Sequence, residues 1–166
     1  GKTVLTSHTL DRLEKRPPVA NAHIRSLGKS TGAILREALR QHPADVSEQF
    51  SRITPVDGVH QLLRDTVEYP FVVILDEADN VHDHDVIERL HDVPRISIVA
   101  ICHDPQSWLA QVPMSGSHSF DGDRHIQLQR YGTDELADIL EARAKQGLAK
   151  DLVTRDQLRT IANHVA

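Results

Sequence analysis

Cysteine is nearly absent: the 166 residues hold only Cys102, so no disulfide can form within the chain, and this usage fits a reducing, intracellular setting. Long apolar runs are lacking as well, and none approaches the roughly 20 residues that a membrane-spanning helix requires. No membrane role and no secretory signal are therefore expected, and a cytoplasmic location is. Positive charge is in short supply, with 19 Lys and Arg against 24 Asp and Glu and a net charge of −5. That balance excludes a broad basic footprint, so any contact with nucleic acid made by this stretch has to be local or minor. No internal repeat or low-complexity tract stands out, which sets solenoid architectures aside. What remains is an ordinary globular composition, 39% hydrophobic, in a length that suits one domain or one domain and part of the next.

The most informative stretch is Phe71-Val72-Val73-Ile74-Leu75-Asp76-Glu77-Ala78-Asp79, in which five apolar residues run directly into acids. An uninterrupted apolar run bounded by Pro70 and an acidic cluster reads as a strand buried on both faces, as central strands of parallel sheets are. Ligands of such sheets bind beyond the carboxyl ends of the strands, which puts Asp76 and Glu77 where chemistry would be placed. The same residues also fit a buried strand that merely ends in a solvated acidic loop. The first tripeptide favours the chemical reading. Gly1-Lys2-Thr3 matches the tail of G-x-x-x-x-G-K-[ST], in which backbone amides cradle phosphates, Lys reaches the β- and γ-phosphates of ATP and Thr meets Mg²⁺. The strand and loop residues that precede such a tail are not in the sequence. The chain is accordingly expected to be a fragment that begins inside a nucleotide site, with the first strand of its sheet missing.

Around these motifs the pattern alternates strands and helices. Val4, Leu5, Thr9, Leu10 and Leu13 recur at helical spacing over 2–15, and Pro17-Pro18 ends that helix, whose N-terminus would face phosphate. A short strand over 19–24 precedes a helix capped by Ser30 or Thr31, with Ile34, Leu35, Ala38 and Leu39 on one face and its end near Pro43. Thr54-Pro55 opens a further helix, with Pro at its first position and Val59, Leu62, Leu63, Thr66 and Val67 inward. After the acidic strand come a short helix over 85–91, a second buried-looking strand over 96–102, an exposed loop over 113–124 and an alternating strand over 124–128. This order argues for a parallel α/β sheet. The last part differs: Thr133 is expected to cap a helix carrying Leu136, Ile139, Leu140 and Ala144 and ended by Gly147. Thr154 with Gln157 forms a capping box for another, with Leu158, Ile161, Ala162 and Val165 inward. Two helices without an intervening strand read as a small helical lid, giving an α/β core over 1–130 and the start of a truncated lid over 131–166.

Together these pieces resemble the archaeal origin-recognition and cell-division-control ATPases, replication initiators of the AAA+ superfamily, over nearly the whole sequence. The most specific element is Arg130-Tyr131-Gly132-Thr133-Asp134-Glu135-Leu136-Ala137-Asp138-Ile139-Leu140-Glu141-Ala142-Arg143, which looks like the family's sheet-to-lid segment. The resemblance implies that Tyr131 and Arg143 lie against the nucleotide and that Gly1, Lys2 and Thr3 form the rest of the phosphate site. It further implies that Thr3 and Asp76 hold Mg²⁺ and that Glu77, the catalytic residue, orients the attacking water. Implied with it are ATP or ADP as ligand, origin DNA bound mainly through a C-terminal winged-helix module, the replication machinery as partner, and self-association. Two departures stand out. The family's fourth strand ends in an Asn that reads the γ-phosphate, whereas this chain has Ile101-Cys102-His103-Asp104; either His103 serves as that sensor or the sensor is lost. The stretch Met114–Gly122, where the family carries an arginine finger, contains no Arg, and Arg124 is a poor substitute.

Rival readings are weaker. Asp76-Glu77-Ala78-Asp79 spells a helicase D-E-A-D box, but the S-A-T triplet and P-T-R-E-L segment that such enzymes carry are missing. The departures make a regulatory ATPase of the STAND type, in which nucleotide sets conformation without hydrolysis, the stronger rival. His82-Asp83-His84-Asp85 with His91 invites a zinc site, yet zinc needs three or four convergent ligands, which a loop and one helix do not guarantee. Cys102, at a strand end with no helix-borne His and acid pair in its sequence context, reads as a small core residue rather than a nucleophile.

Overall fold

Three short apolar segments pair side by side in the computed structural model, which describes residues 5–6, 8–9, 12, 19–81, 83–112, 120, 124–129, 131–149 and 152–165. They are β1 (Ala20–Arg25), β2 (Phe71–Asp76) and β3 (Ile96–Ile101), all parallel, in the order β1-β2-β3. The register sets Arg25 beside Asp76 and Asp76 beside Ile101, so the three carboxyl ends are level. Parallel neighbours cannot be joined by a tight turn and need crossover connections. Helices α1 (Thr31–Gln41) and α2 (Val56–Thr66) supply the first, and α3 (Asp85–His91) the second. A five-residue helix, α4 (Pro105–Leu109), follows β3.

The pleat separates two faces. Ala22, Ile24, Phe71, Val73 and Leu75 share one core with Leu35 and Leu39 of α1, Val59 and Leu63 of α2, Ile87 and Leu90 of α3 and Trp108 of α4. Each of these large side chains, once fully buried, contributes about 1.5–3 kcal/mol, which makes this face the main source of stability. The alternate residues His23, Arg25, Ile74, Asp76, Val99 and Ile101 project from the opposite face, and Ile74 there is also fully buried. β2 is thus buried on both sides, as its uninterrupted run predicts, and it carries Asp76 onto the face away from the α1–α4 core.

Several local expectations change. β3 is half-exposed rather than buried, with Val99 39% accessible, because among the described residues it has β2 on one side only. Residues 124–129 form no strand and no ladder with β3; Ile126 is 80% exposed, and alternation alone cannot make a strand that finds no partner. Pro55 occupies the N-cap of α2 instead of its first helical turn. The expected helix over 2–15 lies mostly outside the described residues, as does nearly all of the loop over 113–123.

A second compact unit runs from Ile126 onward, while the sheet belongs to the unit that ends at His125. It consists of α5 (Thr133–Gly147) and α6 (Arg155–Val165), packed through Ala137, Leu158 and Ala162. Arg155 forks between Asp138 and Glu141, and Arg159 meets Asp134 at 3.0 Å. The capping box at Thr154 forms as expected: its amide donates to Gln157 Oε1 at 2.9 Å and its Oγ1 accepts from the Gln157 amide at 3.3 Å. At α5 the cap is Gly132, not Thr133, and the Gly132 amide donates to Glu135 Oε2 at 2.9 Å. Ile161 is 49% exposed instead of inward, whereas Leu158 and Ala162 on the same helix are buried.

Candidate functional site

The acidic turn after β2 is the point where the loops from all three strands meet. Asp76 closes the strand, and Glu77 then takes a left-handed conformation, φ 59° and ψ 43°, before a single 3₁₀ turn over Ala78–Asn80. From the β1 side, the Ser26 amide donates to the Asp76 carbonyl at 2.7 Å and the Gly28 amide to the Asn80 carbonyl at 2.8 Å. Gly28 itself sits at φ 65°, a conformation that favours glycine. From the β3 side, the His103 amide donates to Asp79 Oδ2 at 2.9 Å. Asp76 and Glu77 are therefore held on a braced turn at the carboxyl edge, the position where parallel sheets place ligands.

Their side chains have specific neighbours. The Asp76 carboxylate is mostly buried and lies 3.5 Å from His23 Nε2, two residues back on β1, while its other oxygen accepts from the Glu77 amide at 3.1 Å. The Glu77 carboxylate accepts from Arg25 Nε at 2.9 Å. That hydrogen bond and the charge of Glu77 push the Arg25 guanidinium above its ordinary value, with Asp76 adding to the effect. Arg25 is 72% exposed, so solvent screens the pair and it positions the carboxylate more than it stabilises the fold. His23 is fixed from behind, because Gln41 at the end of α1 accepts from its backbone amide at 2.8 Å and donates to its carbonyl at 3.1 Å.

The structure thus brings Asp76, Glu77 and the backbone of His103 together, with the His103 residue exposed to solvent. Tyr131 and Arg143 belong to the second unit, where Tyr131 is 48% exposed and Arg143 lies on the outer side of α5. Gly1, Lys2 and Thr3 lie outside the described residues. No group of three or more metal-ligating side chains occurs among the described residues, and His82 of the histidine cluster is outside them. Sequence reasoning missed Arg25 and His23. Their signal is the parallel register: once Arg25 is known to pair with Asp76, strand parity places both on the face that carries that acid.

No protein-family model matches the chain. It is similar to the ORC1-type DNA replication protein 9 of Halobacterium salinarum, at 28% identity over 169 residues covering all of this chain and 47% of that protein. It thus spans about half the length of that curated relative. Among solved structures it is similar to the Aeropyrum pernix ORC1 protein in complex with DNA, at a TM-score of 0.81 and 19% identity, covering 99% of this chain and 46% of that one. The Aeropyrum pernix ORC2 protein in its ADP form matches at a TM-score of 0.69 and 22% identity, covering 99% and 47%. The resemblance read from the sequence therefore holds, and the fold is the α/β fold of these archaeal ORC structures.

Proposed function

We propose that this chain is the nucleotide-binding part of an ATP-dependent initiator of DNA replication, which recognises origin DNA mainly through a C-terminal winged-helix module and recruits the replication machinery in its ATP state. The observation that carries the reading is the buried strand β2 delivering Asp76 and an out-turned Glu77 onto the braced carboxyl edge of the sheet. Support also comes from the likeness to replication proteins, one of them solved with ADP and another with DNA.

In this reading Gly1, Lys2 and Thr3 hold the phosphates, Lys2 neutralising charge on the β- and γ-groups, while Tyr131 and Arg143 contact the nucleotide from the lid. Asp76 and Thr3 would hold Mg²⁺, and the fit is chemical: a mostly buried carboxylate at a strand end and a hydroxyl are the hard oxygen donors this ion takes. Bound there, the ion would offset the negative charge of the phosphates. Glu77 orients the attacking water, and Arg25 sets where its carboxylate points. Phosphoryl transfer asks for this kind of positioning and charge neutralisation more than for covalent help.

Titration of the full-length protein with a fluorescent ATP analogue tests the assignment. Lys2→Ala should weaken binding by about 10- to 100-fold, the worth of a lost charge-assisted contact. Glu77→Gln should keep the affinity and slow hydrolysis by about 10²–10⁴-fold, as removal of a proton-accepting group does. Both variants binding like the parent would reject the site. A regulatory ATPase that binds without hydrolysing is the second reading, favoured by His103 standing where the family has Asn and by the absence of Arg over 114–122. Phosphate release from the full-length parent separates the two.

A further inference from the structure

Two loops carry the residues on which hydrolysis would depend: the turn 76–80 after β2 and the segment 102–104 after β3. A side-chain hydrogen bond joins them. Asp79 Oδ2 accepts the backbone amide of His103 at 2.9 Å, and Asp79 Oδ1 accepts from Asn80 Nδ2 at 3.4 Å. The turn that holds Asp79 is itself fixed, since the Asn80 amide returns to the Glu77 carbonyl at 2.9 Å and the Asn80 carbonyl accepts Gly28. On its far side, His103 is followed by Asp104, which caps α4. Asp104 Oδ1 accepts from the Gln106 and Ser107 amides, both at 3.1 Å, and Oδ2 from Ser107 Oγ at 2.6 Å. His103 is therefore anchored at its own amide by Asp79 and at the next residue by the α4 cap, two positions beyond Ile101, the register partner of Asp76.

We propose that Asp79 is a positioning residue: by accepting the His103 amide it locks the segment after β3 to the acidic turn after β2, and so sets where His103 stands relative to the carboxylates of Asp76 and Glu77. The catalytic consequence of this lock rests on the nucleotide reading above; the lock itself does not. The third acid of the cluster then has a role distinct from those of the first two. Its carboxylate is committed to a main-chain amide, and the requirement is for an acceptor of that shape, not for negative charge.

The test uses the full-length protein with Asp79→Ala and Asp79→Asn, the second keeping an acceptor oxygen without the charge. Amide hydrogen exchange at His103 should be about tenfold faster in Asp79→Ala, the worth of one hydrogen bond in a local opening, and return towards the parent rate in Asp79→Asn. Affinity for a fluorescent ATP analogue should stay within about twofold in both, while kcat for hydrolysis falls about tenfold in Asp79→Ala and recovers in Asp79→Asn. Unchanged exchange in Asp79→Ala overturns the proposal. So does an Asp79→Asn variant as impaired as Asp79→Ala, which would mean that the charge acts directly, and so does a parallel loss of affinity and kcat. If the parent neither binds nor hydrolyses nucleotide, the proposed function falls and exchange alone decides: acceleration with recovery in Asp79→Asn supports the lock, equal rates refute it.

Discussion

At Glu77 the backbone turns left-handed, a conformation that costs a residue with a side chain about 1–2 kcal/mol. Glycine would relieve that cost, yet glycine has no carboxylate to present to Arg25 or to a water. The position thus trades local stability for a group aimed out of the sheet, the kind of strain found where function over-determines geometry. The comparison that isolates the strain is Glu77→Gly against Glu77→Ala, since both lose the Arg25 pair and only the first relaxes the turn. Urea unfolding should find Glu77→Gly more stable than Glu77→Ala by about 1 kcal/mol, with hydrolysis slowed in both. Equal stabilities would show that the turn carries no strain. Nothing in the sequence announces this conformation, because Glu is an ordinary residue there; only the need to leave the strand abruptly produces it.

Among the elements, those whose signal is local were legible and those that depend on neighbours were not. β2, α3 and the Thr154–Gln157 box follow from a buried run, a short apolar face and a reciprocal pair of hydrogen bonds, all set within a few residues. The exposure of β3 and the absence of a strand at 124–129 depend on which strands are present to pair, which periodicity does not encode. At the site the same division holds: Asp76 and Glu77 stood out as acids at a strand end, while Arg25 and His23 needed the register. The end of α1 shows an element-level consequence. His42 caps that helix, packs edge-on against Phe71 with centroids 4.9 Å apart, and accepts the Ala44 amide on Nδ1 at 3.2 Å. Burial pushes its imidazole below the ordinary value of 6.5. A group whose folded pKa is depressed lends its stability above the unfolded pKa and loses it as pH falls through the folded one. The thermal midpoint should therefore decline as pH falls below about 6.5. His42→Asn, which keeps a short acceptor for the Ala44 amide and does not titrate, should show a flatter profile over the same range. An equally steep decline in that variant would assign the effect elsewhere.

For the whole molecule, charge sets the strongest constraint on how a DNA-dependent role is carried out. A net charge of −5 argues against a broad basic footprint in this chain, and DNA affinity grows with the number of phosphates that Lys and Arg neutralise. In the proposed reading, most of the salt-sensitive binding comes from the winged-helix module rather than from this stretch. In the same reading, the nucleotide site acts on DNA through conformation rather than through direct contact. Filter binding of the full-length protein to origin-containing and random duplexes should show both bound, with affinity falling as salt rises and the origin preferred by at least about 10³-fold. Replacing a single exposed Arg within this chain should change the salt slope by about 1 at most, and by about the same amount on both duplexes. In the proposed reading, in which recognition of the origin depends on the ATP state, Lys2→Ala should leave the random-duplex affinity unchanged while altering the origin preference. Equal, salt-insensitive failure on both duplexes would reject the DNA role. Identical origin preference in the Lys2→Ala variant and the parent would instead uncouple nucleotide from recognition.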